Sequence, residues 1–194
     1  LQRNIKIGKK QLEEWEKRNY LGPVPHLVKQ NTICEYQKMH AINILVETGT
    51  YLGDMVEAQK AIFNKIISIE LAIDLFERAK KRFKNDQNVI IVQGDSGNLL
   101  HKIISDIDEP AIFWLDGHYS AGITAKGDKD CPIFEEIDAI LNSKDFNHII
   151  LIDDARCFIG EGDYPSIEKL TEFITKKNNK YQVQVKHDII RFVI

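Results

Sequence analysis

The chain has 194 residues, of which 43% are hydrophobic and 28% charged, and its formal net charge is −3. This length suits one α/β domain with a small extension, and the composition is ordinary for a globular protein. The weak negative charge argues against nucleic acid and acidic membranes as partners. No apolar run approaches the roughly 20 residues of a membrane span, and no signal peptide is recognisable, so we expect a cytoplasmic protein.

The N-terminal part has the pattern of charged helices. Residues 9–30, KKQLEEWEKRNYLGPVPHLVKQ, read as helix interrupted at Gly22-Pro23 and at Pro25. We interpret residues 1–40 as a helical cap on the domain that follows. A lid over a site or the surface of a homodimer is the alternative use of this segment.

Residues 41–194 alternate between strand patterns and helix patterns. The strand-like runs are ILVETG (44–49), KIISIEL (65–71), VIIVQGD (89–95), AIFWLDG (111–117) and HIILIDD (148–154). Helical patterns occupy 55–63, 72–83, 97–104 and 131–141. Apolar strands joined by helices predict a parallel sheet covered on both faces. The last segment, YQVQVKHDIIRFVI (181–194), holds two strand-like runs with a link so short that it predicts an antiparallel hairpin.

Acidic side chains stand at the C-terminal ends of all five predicted parallel strands. They are Glu47, Glu70, Asp95, Asp116 and the adjacent pair Asp153 and Asp154. Any one of them could cap the following turn or helix, but together they favour a binding site. Open α/β sheets bind their ligands outside these strand ends.

The turn after the first strand, ETGTYLGDM (47–55), indicates what kind of ligand fits. Gly49 and Gly53, with Thr50 and Tyr51 between them, allow the backbone to approach a ligand closely. The turn is neither a GxGxxG motif nor a P-loop, and Glu47 would repel a pyrophosphate. It suits a ligand that carries positive charge and hydroxyl groups.

The next two strand ends fit a nucleoside. Glu70 can accept hydrogen bonds from both hydroxyls of a ribose, Asp95 can accept from an adenine amino group, and Ser96 can support that contact. S-adenosylmethionine, an adenosine with a sulfonium cation and an amino-acid tail, meets this description. A nicotinamide-dependent oxidoreductase would also use Glu70, but the chain lacks GxGxxG and a Tyr-x-x-x-Lys pair.

The motifs ETGTYLG, SIEL, QGDSG and WLDGHYS resemble successive motifs of the class I S-adenosylmethionine-dependent methyltransferases, over about residues 40–194. The resemblance implies an α/β, Rossmann-like fold: a doubly wound, mostly parallel seven-stranded sheet with a C-terminal antiparallel hairpin. The cofactor-binding residues that it implies, together with the reasoning above, are Glu47, Gly49, Thr50, Tyr51, Gly53, Glu70, Asp95 and Ser96.

Within that family, the chain resembles a metal-dependent branch of O-methyltransferases that act on small molecules. These enzymes bind a divalent cation through an acid after the fourth strand and an acidic pair after the fifth. The resemblance implies that Asp116, Asp153 and Asp154 bind Mg²⁺, which would relieve the repulsion between the adjacent aspartates. The competing interpretation is that Asp153 caps a turn and Asp154 pairs with Arg156.

His118 directly follows the Asp116-Gly117 turn and is the predicted general base for a hydroxyl group. Its alternative role is to anchor the loop at 118–130 by hydrogen bonds. The expected reaction is metal-assisted O-methylation of a small-molecule hydroxyl on a sugar, polyketide or other secondary metabolite. A non-catalytic binding module with a methyltransferase fold is the alternative outside enzymology, because a fold does not fix a function.

Overall fold

The computed structural model describes residues 2–20, 22–117, 131–144 and 146–194. Within these ranges seven strands form a single sheet. Their bounds are β1 Ile44–Thr48, β2 Lys65–Glu70, β3 Val89–Gln93, β4 Ala111–Leu115, β5 Ile149–Ile152, β6 Gln182–Lys186 and β7 Ile189–Val193. The strand order is β3-β2-β1-β4-β5-β7-β6. Strands β1 to β5 are parallel, and β7 runs antiparallel to both β5 and β6.

The helices are α1 Gln2–Lys17, α2 His26–His40, α3 Asp54–Gln59, α4 Ile73–Arg82, α5 Ser96–Ser105, α6 Ile133–Leu141 and α7 Ile167–Lys177. A short 3₁₀ turn, Ala155–Cys157, follows β5. Among the described residues, no helix combines the length and the apolar character that crossing a bilayer requires.

The middle of the sheet is buried on both faces, and its strands β4 and β5 are apolar at every position. In β4, Phe113 and Leu115 pack in a cluster with α5, α6 and α7. Ile112 and Trp114 point to the opposite face and pack with α2, α3 and α4. This alternation is the period-two geometry of a strand, and it gives the protein two hydrophobic cores separated by one sheet.

The predicted fold class is confirmed, including the five parallel strands and the terminal hairpin. The hairpin turns at His187 and Asp188, whose φ angles of 55° and 58° are left-handed. Two consecutive left-handed residues are typical of the tight turn that matches the twist of paired strands.

Two helices were missed or cut short by the sequence patterns. Helix α7 was not predicted, although Ile167, Leu170, Phe173 and Ile174 follow helical spacing and pack on the core. Helix α2 continues to His40, ten residues beyond the predicted pattern, and its buried side includes the polar Thr32 beside Ile33. In α2 the apolar stripe is too narrow to stand out from the surrounding polar residues.

Candidate active site

The ends of the parallel strands converge where β1 and β4 lie side by side. From here the chain leaves β1 toward helices on one face of the sheet and leaves β4 toward helices on the other, which makes this the switch point of the fold. The hydrogen-bond ladder continues into the strand ends. Asp116 donates its N–H to the Thr48 oxygen at 3.1 Å, and Asp153 donates to the Leu115 oxygen at 3.1 Å. The predicted acidic residues are thereby brought to one edge.

Two glycines make the β1 turn possible. Gly49 has φ +84°, and a Cβ there would lie 2.8 Å from the carbonyl carbon of Asp116 and closer still to its oxygen. Gly53 has φ +78°, and its Cβ would lie 2.7 Å from the ring of Phe83. A side chain at either position would be both strained and obstructed. The turn therefore holds the ends of β1 and β4 in close backbone contact.

The Glu70 carboxylate is tied to the same turn. Its Oε2 accepts the Tyr51 N–H at 2.7 Å, and its Oε1 accepts the Ala72 N–H at 2.9 Å. The residue is only 5% exposed, and burial raises the pKa of Glu70, against the opposing effect of the backbone N–H groups. Each carboxylate oxygen keeps a further lone pair, so the group can still accept hydrogen bonds from ligand hydroxyls.

Glu47 lies at the centre of the strand ends and is 2% exposed. The Ser68 hydroxyl donates a hydrogen bond to its Oε2, and the Ser68 and Thr50 hydroxyls lie 2.6 Å apart. Burial raises the pKa of Glu47 to about 8 although the Ser68 hydrogen bond opposes that shift. Glu47 is therefore protonated at neutral pH in the free protein, and a cation beside it would favour its ionised form.

The third strand end places its two predicted residues at the start of α5. Asp95 occupies the residue before the helix and is half-buried, and Ser96 is the first helical residue and is 8% exposed. The Asp95 carboxylate makes no capping hydrogen bond to the helix. The helix therefore does not occupy the Asp95 carboxylate oxygens.

A further buried acid, Glu136 of α6, was missed by the sequence interpretation. Its side chain is fully buried, and the Ser96 and Thr48 hydroxyls lie close to its carboxyl group. A Cβ on Gly117 would lie 3.0 Å from Thr48 Oγ1 and 3.4 Å from Glu136 Oε1, which places both groups at the end of β4. Burial raises the pKa of Glu136 to about 7, against the opposing effect of the Ser96 and Thr48 hydroxyls.

A cation already lies beside the aspartates that the sequence assigned to a metal. Lys29 of α2 donates a hydrogen bond and forms an ion pair to Asp153 Oδ2, and Asp153 is completely buried. Burial lowers the pKa of Lys29, but the carboxylates of Asp153, Asp116 and Asp154 outweigh it and hold the pKa above its ordinary value. The pKa of Asp116 is raised well above its ordinary value by burial and by Asp153. Lys29 was not among the predicted site residues.

The second aspartate of the pair has a different partner. Asp154 is in the left-handed conformation, with φ 55°, and its Oδ1 lies 2.8 Å from Arg156 Nη1. Arg156 also forms an ion pair with Asp188 in the hairpin turn, which in addition accepts the Ala155 N–H at 2.8 Å. The expected pairing of Asp154 with Arg156 is therefore present, whereas Asp153, for which the same interpretation expected a turn cap, binds Lys29.

A divalent cation is not supported by this arrangement. Over residues 2–20, 22–117, 131–144 and 146–194, no group of three or more His, Cys, Asp or Glu side chains is placed to hold a metal ion. One predicted ligand, Asp153, is bound to Lys29, and another, Asp154, is bound to Arg156. Mg²⁺ requires short bonds to oxygen ligands in a nearly octahedral arrangement. The aspartates, as the structure places them, do not offer that arrangement.

The predicted base, His118, and the loop at 118–130 lie outside the described residues. Its role as a general base therefore stays a prediction.

Comparisons with known proteins identify the fold. No family model matches the chain, and no curated protein matches it in sequence. Among solved structures, an O-methyltransferase from Bacillus cereus in complex with SAH shares 12% identity, with 96% of this chain and 90% of that one covered and a TM-score of 0.63. The chain has the fold of the class I methyltransferases.

Two further structures show how widely this fold is used. The SAH-bound methyltransferase PaMTH1 of Podospora anserina is 15% identical, with 94% of this chain and 86% of that one covered and a TM-score of 0.59. The N-methyltransferase NodS of Bradyrhizobium japonicum is 13% identical, with 87% and 95% covered and a TM-score of 0.57. Since these proteins include both O- and N-methyltransferases, the fold alone does not select the acceptor atom.

Proposed function

We propose that this protein transfers the methyl group of S-adenosylmethionine to a hydroxyl group of a small molecule. The observation that carries the proposal is the buried Glu70 carboxylate, fixed by two backbone N–H groups beside the Gly49–Gly53 turn. A carboxylate at the end of the second strand of such a sheet is placed to accept the two ribose hydroxyls of a nucleoside.

The neighbouring strand ends supply complementary contacts for the rest of the cofactor. Asp95 and Ser96 are the candidates for the adenine amino group, and Glu136 adds a second buried acceptor close by. The turn from Gly49 to Gly53, with Thr50 and Tyr51, leaves room for the amino-acid tail because no side chain stands at its two tight positions. Glu47 offers a carboxyl group toward the positive end of the ligand.

The chemistry then depends mainly on alignment. When bound, S-adenosylmethionine supplies an activated methyl group on a positively charged sulfur. The protein must hold an acceptor oxygen in line with that methyl group, exclude water and accept the hydroxyl proton. His118 is the proposed recipient of the proton. The proposed reaction does not include the metal ion that the sequence suggested, because Asp153 and Asp154 are already paired with cationic side chains.

The methyl acceptor is proposed to be a hydroxylated metabolite such as a sugar or polyketide. Its methylation is proposed to take place in the cytoplasm. The net charge of −3 supports an uncharged small molecule over nucleic acid. Both O- and N-methyltransferases share the fold, so the choice of oxygen is supported by the sequence resemblance rather than by the sheet.

Thermal unfolding with three ligands tests the proposal. S-adenosylmethionine or S-adenosylhomocysteine at about a hundred times its dissociation constant should raise the melting temperature by roughly 5 °C or more, and NAD⁺ should not. A shift with NAD⁺ alone would favour the oxidoreductase alternative. Binding of the methyl donor without transfer of a labelled methyl group to any member of a hydroxylated-metabolite library would favour the non-catalytic binding module.

A further inference from the structure

None of the sequence motifs explains the presence of Lys29 in the site. It is carried by α2, outside the sheet, yet its ammonium group lies on Asp153, 124 residues further along the chain. The Asp153 side chain is completely buried, whereas that of Lys29 is 16% exposed. The contact thus joins the helical segment before β1 to a fully buried carboxylate of the site.

We propose that the Lys29 ammonium group takes the place of a divalent cation at this aspartate cluster, so that methyl transfer by this protein needs no metal. The inference rests on the proposed function for the reaction itself, but its claim about the cation stands on geometry alone. In this scheme Lys29 neutralises the Asp153 carboxylate and directs a remaining N–H donor toward the substrate.

The charges at the cluster support this role. Asp116, Asp153 and Asp154 lie close enough that all three act on the Lys29 ammonium. Three neighbouring carboxylates at the edge of an apolar core repel one another unless positive charge lies among them. Lys29 supplies one positive charge at Asp153, and Arg156 supplies another at Asp154. The repulsion that suggested a metal is thereby relieved by the protein's own side chains.

The ammonium group has capacity left for a ligand. It carries three N–H donors, and in the described part of the chain the one acceptor that it contacts is Asp153 Oδ2. Because the Lys29 side chain is partly exposed, one of its remaining N–H donors can face a substrate at the ends of the strands. A charge-assisted hydrogen bond from it would orient an acceptor oxygen and stabilise the negative charge that develops there when the proton leaves.

The same position cannot serve a metal at the same time. A divalent ion bound to Asp153 would need the carboxylate oxygen that Lys29 now holds, and it would lie next to an ammonium of like charge. Removing the lysine should therefore uncover a cation site, since among the residues that the structure describes Asp153 Oδ1 is buried without a hydrogen-bond partner, and Oδ2 would lose the one that it has.

Binding of Mn²⁺, followed by electron paramagnetic resonance after removal of metals with a chelator, tests the inference directly. The wild-type protein should bind Mn²⁺ at the cluster only weakly and should not reach one equivalent. Lys29→Met should bind one equivalent at least about tenfold more tightly than wild type, and adding Asp153→Asn should abolish the gain. Lys38→Met, an exposed lysine of the same helix, is the matched control and should behave as wild type.

Two results would overturn the inference. One is stoichiometric Mn²⁺ binding by the wild-type protein that Asp153→Asn removes, which needs no lysine variant to be informative. The other is a folded Lys29→Met protein that binds no Mn²⁺. Lys29→Arg, which keeps the charge, should stay free of Mn²⁺ and retain transfer better than Lys29→Met does.

Activity and cofactor binding separate this inference from the proposed function. Once a methyl acceptor is known, turnover by wild type should be unchanged by the chelator, and turnover that is lost and then restored by Mg²⁺ would also refute the inference. Calorimetry with S-adenosylhomocysteine is the independent check on the proposed function. Failure to bind it would reject methyl transfer while leaving the Mn²⁺ comparison to decide the role of Lys29.

Discussion

Replacing Glu47 by glutamine should remove a large part of the pH dependence of stability. The pKa of Glu47 is raised from its ordinary value of 4.5 to about 8, with burial as the main cause. Above pH 4.5 the unfolded chain ionises this residue while the folded protein keeps it protonated. Stability is therefore complete at low pH and is lost as the pH rises toward about 8. Glutamine keeps the acceptor oxygen for Ser68 but cannot ionise.

The size of the effect follows from the two pKa values. Between about pH 5 and pH 7 the unfolded state of the wild type binds nearly one proton fewer at Glu47 than the folded state, which costs about 1.4 kcal/mol per pH unit. Integrated with partial ionisation at the lower end, this residue should lower the free energy of unfolding by about 2.5 kcal/mol over that interval. Other groups, including Glu136 and His148, titrate equally in wild type and variant.

Urea unfolding followed by the fluorescence of Trp15 and Trp114 measures this difference. The free energy of unfolding is determined for both proteins at several pH values. The wild-type value minus the variant value should fall as the pH rises. Glu77→Gln, at an exposed glutamate of α4, is the control and should leave that difference constant. If Glu47→Gln leaves the slope of the wild type unchanged, the buried carboxyl is already ionised and the reasoning fails.

Two further predictions concern the turn after β1 and the end of β2. Gly49→Ala should cost about 2–4 kcal/mol in urea unfolding, because the left-handed conformation and the clash with the β4 end add up. Gly22→Ala shares the φ of +84° but meets no atom within 4 Å, so it should cost only about 1–2 kcal/mol, and equal losses would contradict the close contact. Glu70→Gln should weaken S-adenosylhomocysteine binding in calorimetry about tenfold, with Glu77→Gln as control. An unchanged affinity would reject Glu70 as the acceptor of the ribose hydroxyls.

The sheet could be predicted because its determinants are local. Each parallel strand is a short apolar run that ends in an acid, and the runs are spaced by helical patterns. The hairpin was equally visible, since only two residues, His187 and Asp188, separate its strands. Glu136 was within reach of the same reasoning. Helical spacing places it on the apolar side of α6 with Ile133, Ile137 and Ile140, where an acid is unusual.

Lys29 was beyond that reasoning because its importance depends on a distant contact. In the sequence it is one of several charged residues in a helix with the pattern of a solvent-exposed surface helix. No neighbouring residue indicates that Lys29 belongs to a site. Its partner Asp153 lies 124 positions away, and their meeting is decided by how α2 packs on the sheet. For the same reason the adjacent Asp153 and Asp154 predicted that a positively charged group lies beside them, but they did not predict that Lys29 would be one of these groups.

The pairing of Lys29 with Asp153 also sets an order of events during synthesis. Helix α2 leaves the ribosome long before β5. Lys29 is therefore synthesised well before its ion-pair partner Asp153. Closing a loop of this length is slow compared with forming the β1–β2 pair next to α2. The ligand-facing end of the sheet is consequently completed late. A nascent chain that stops before β5 would contain Lys29 and Asp116 but not Asp153, the ion-pair partner of Lys29.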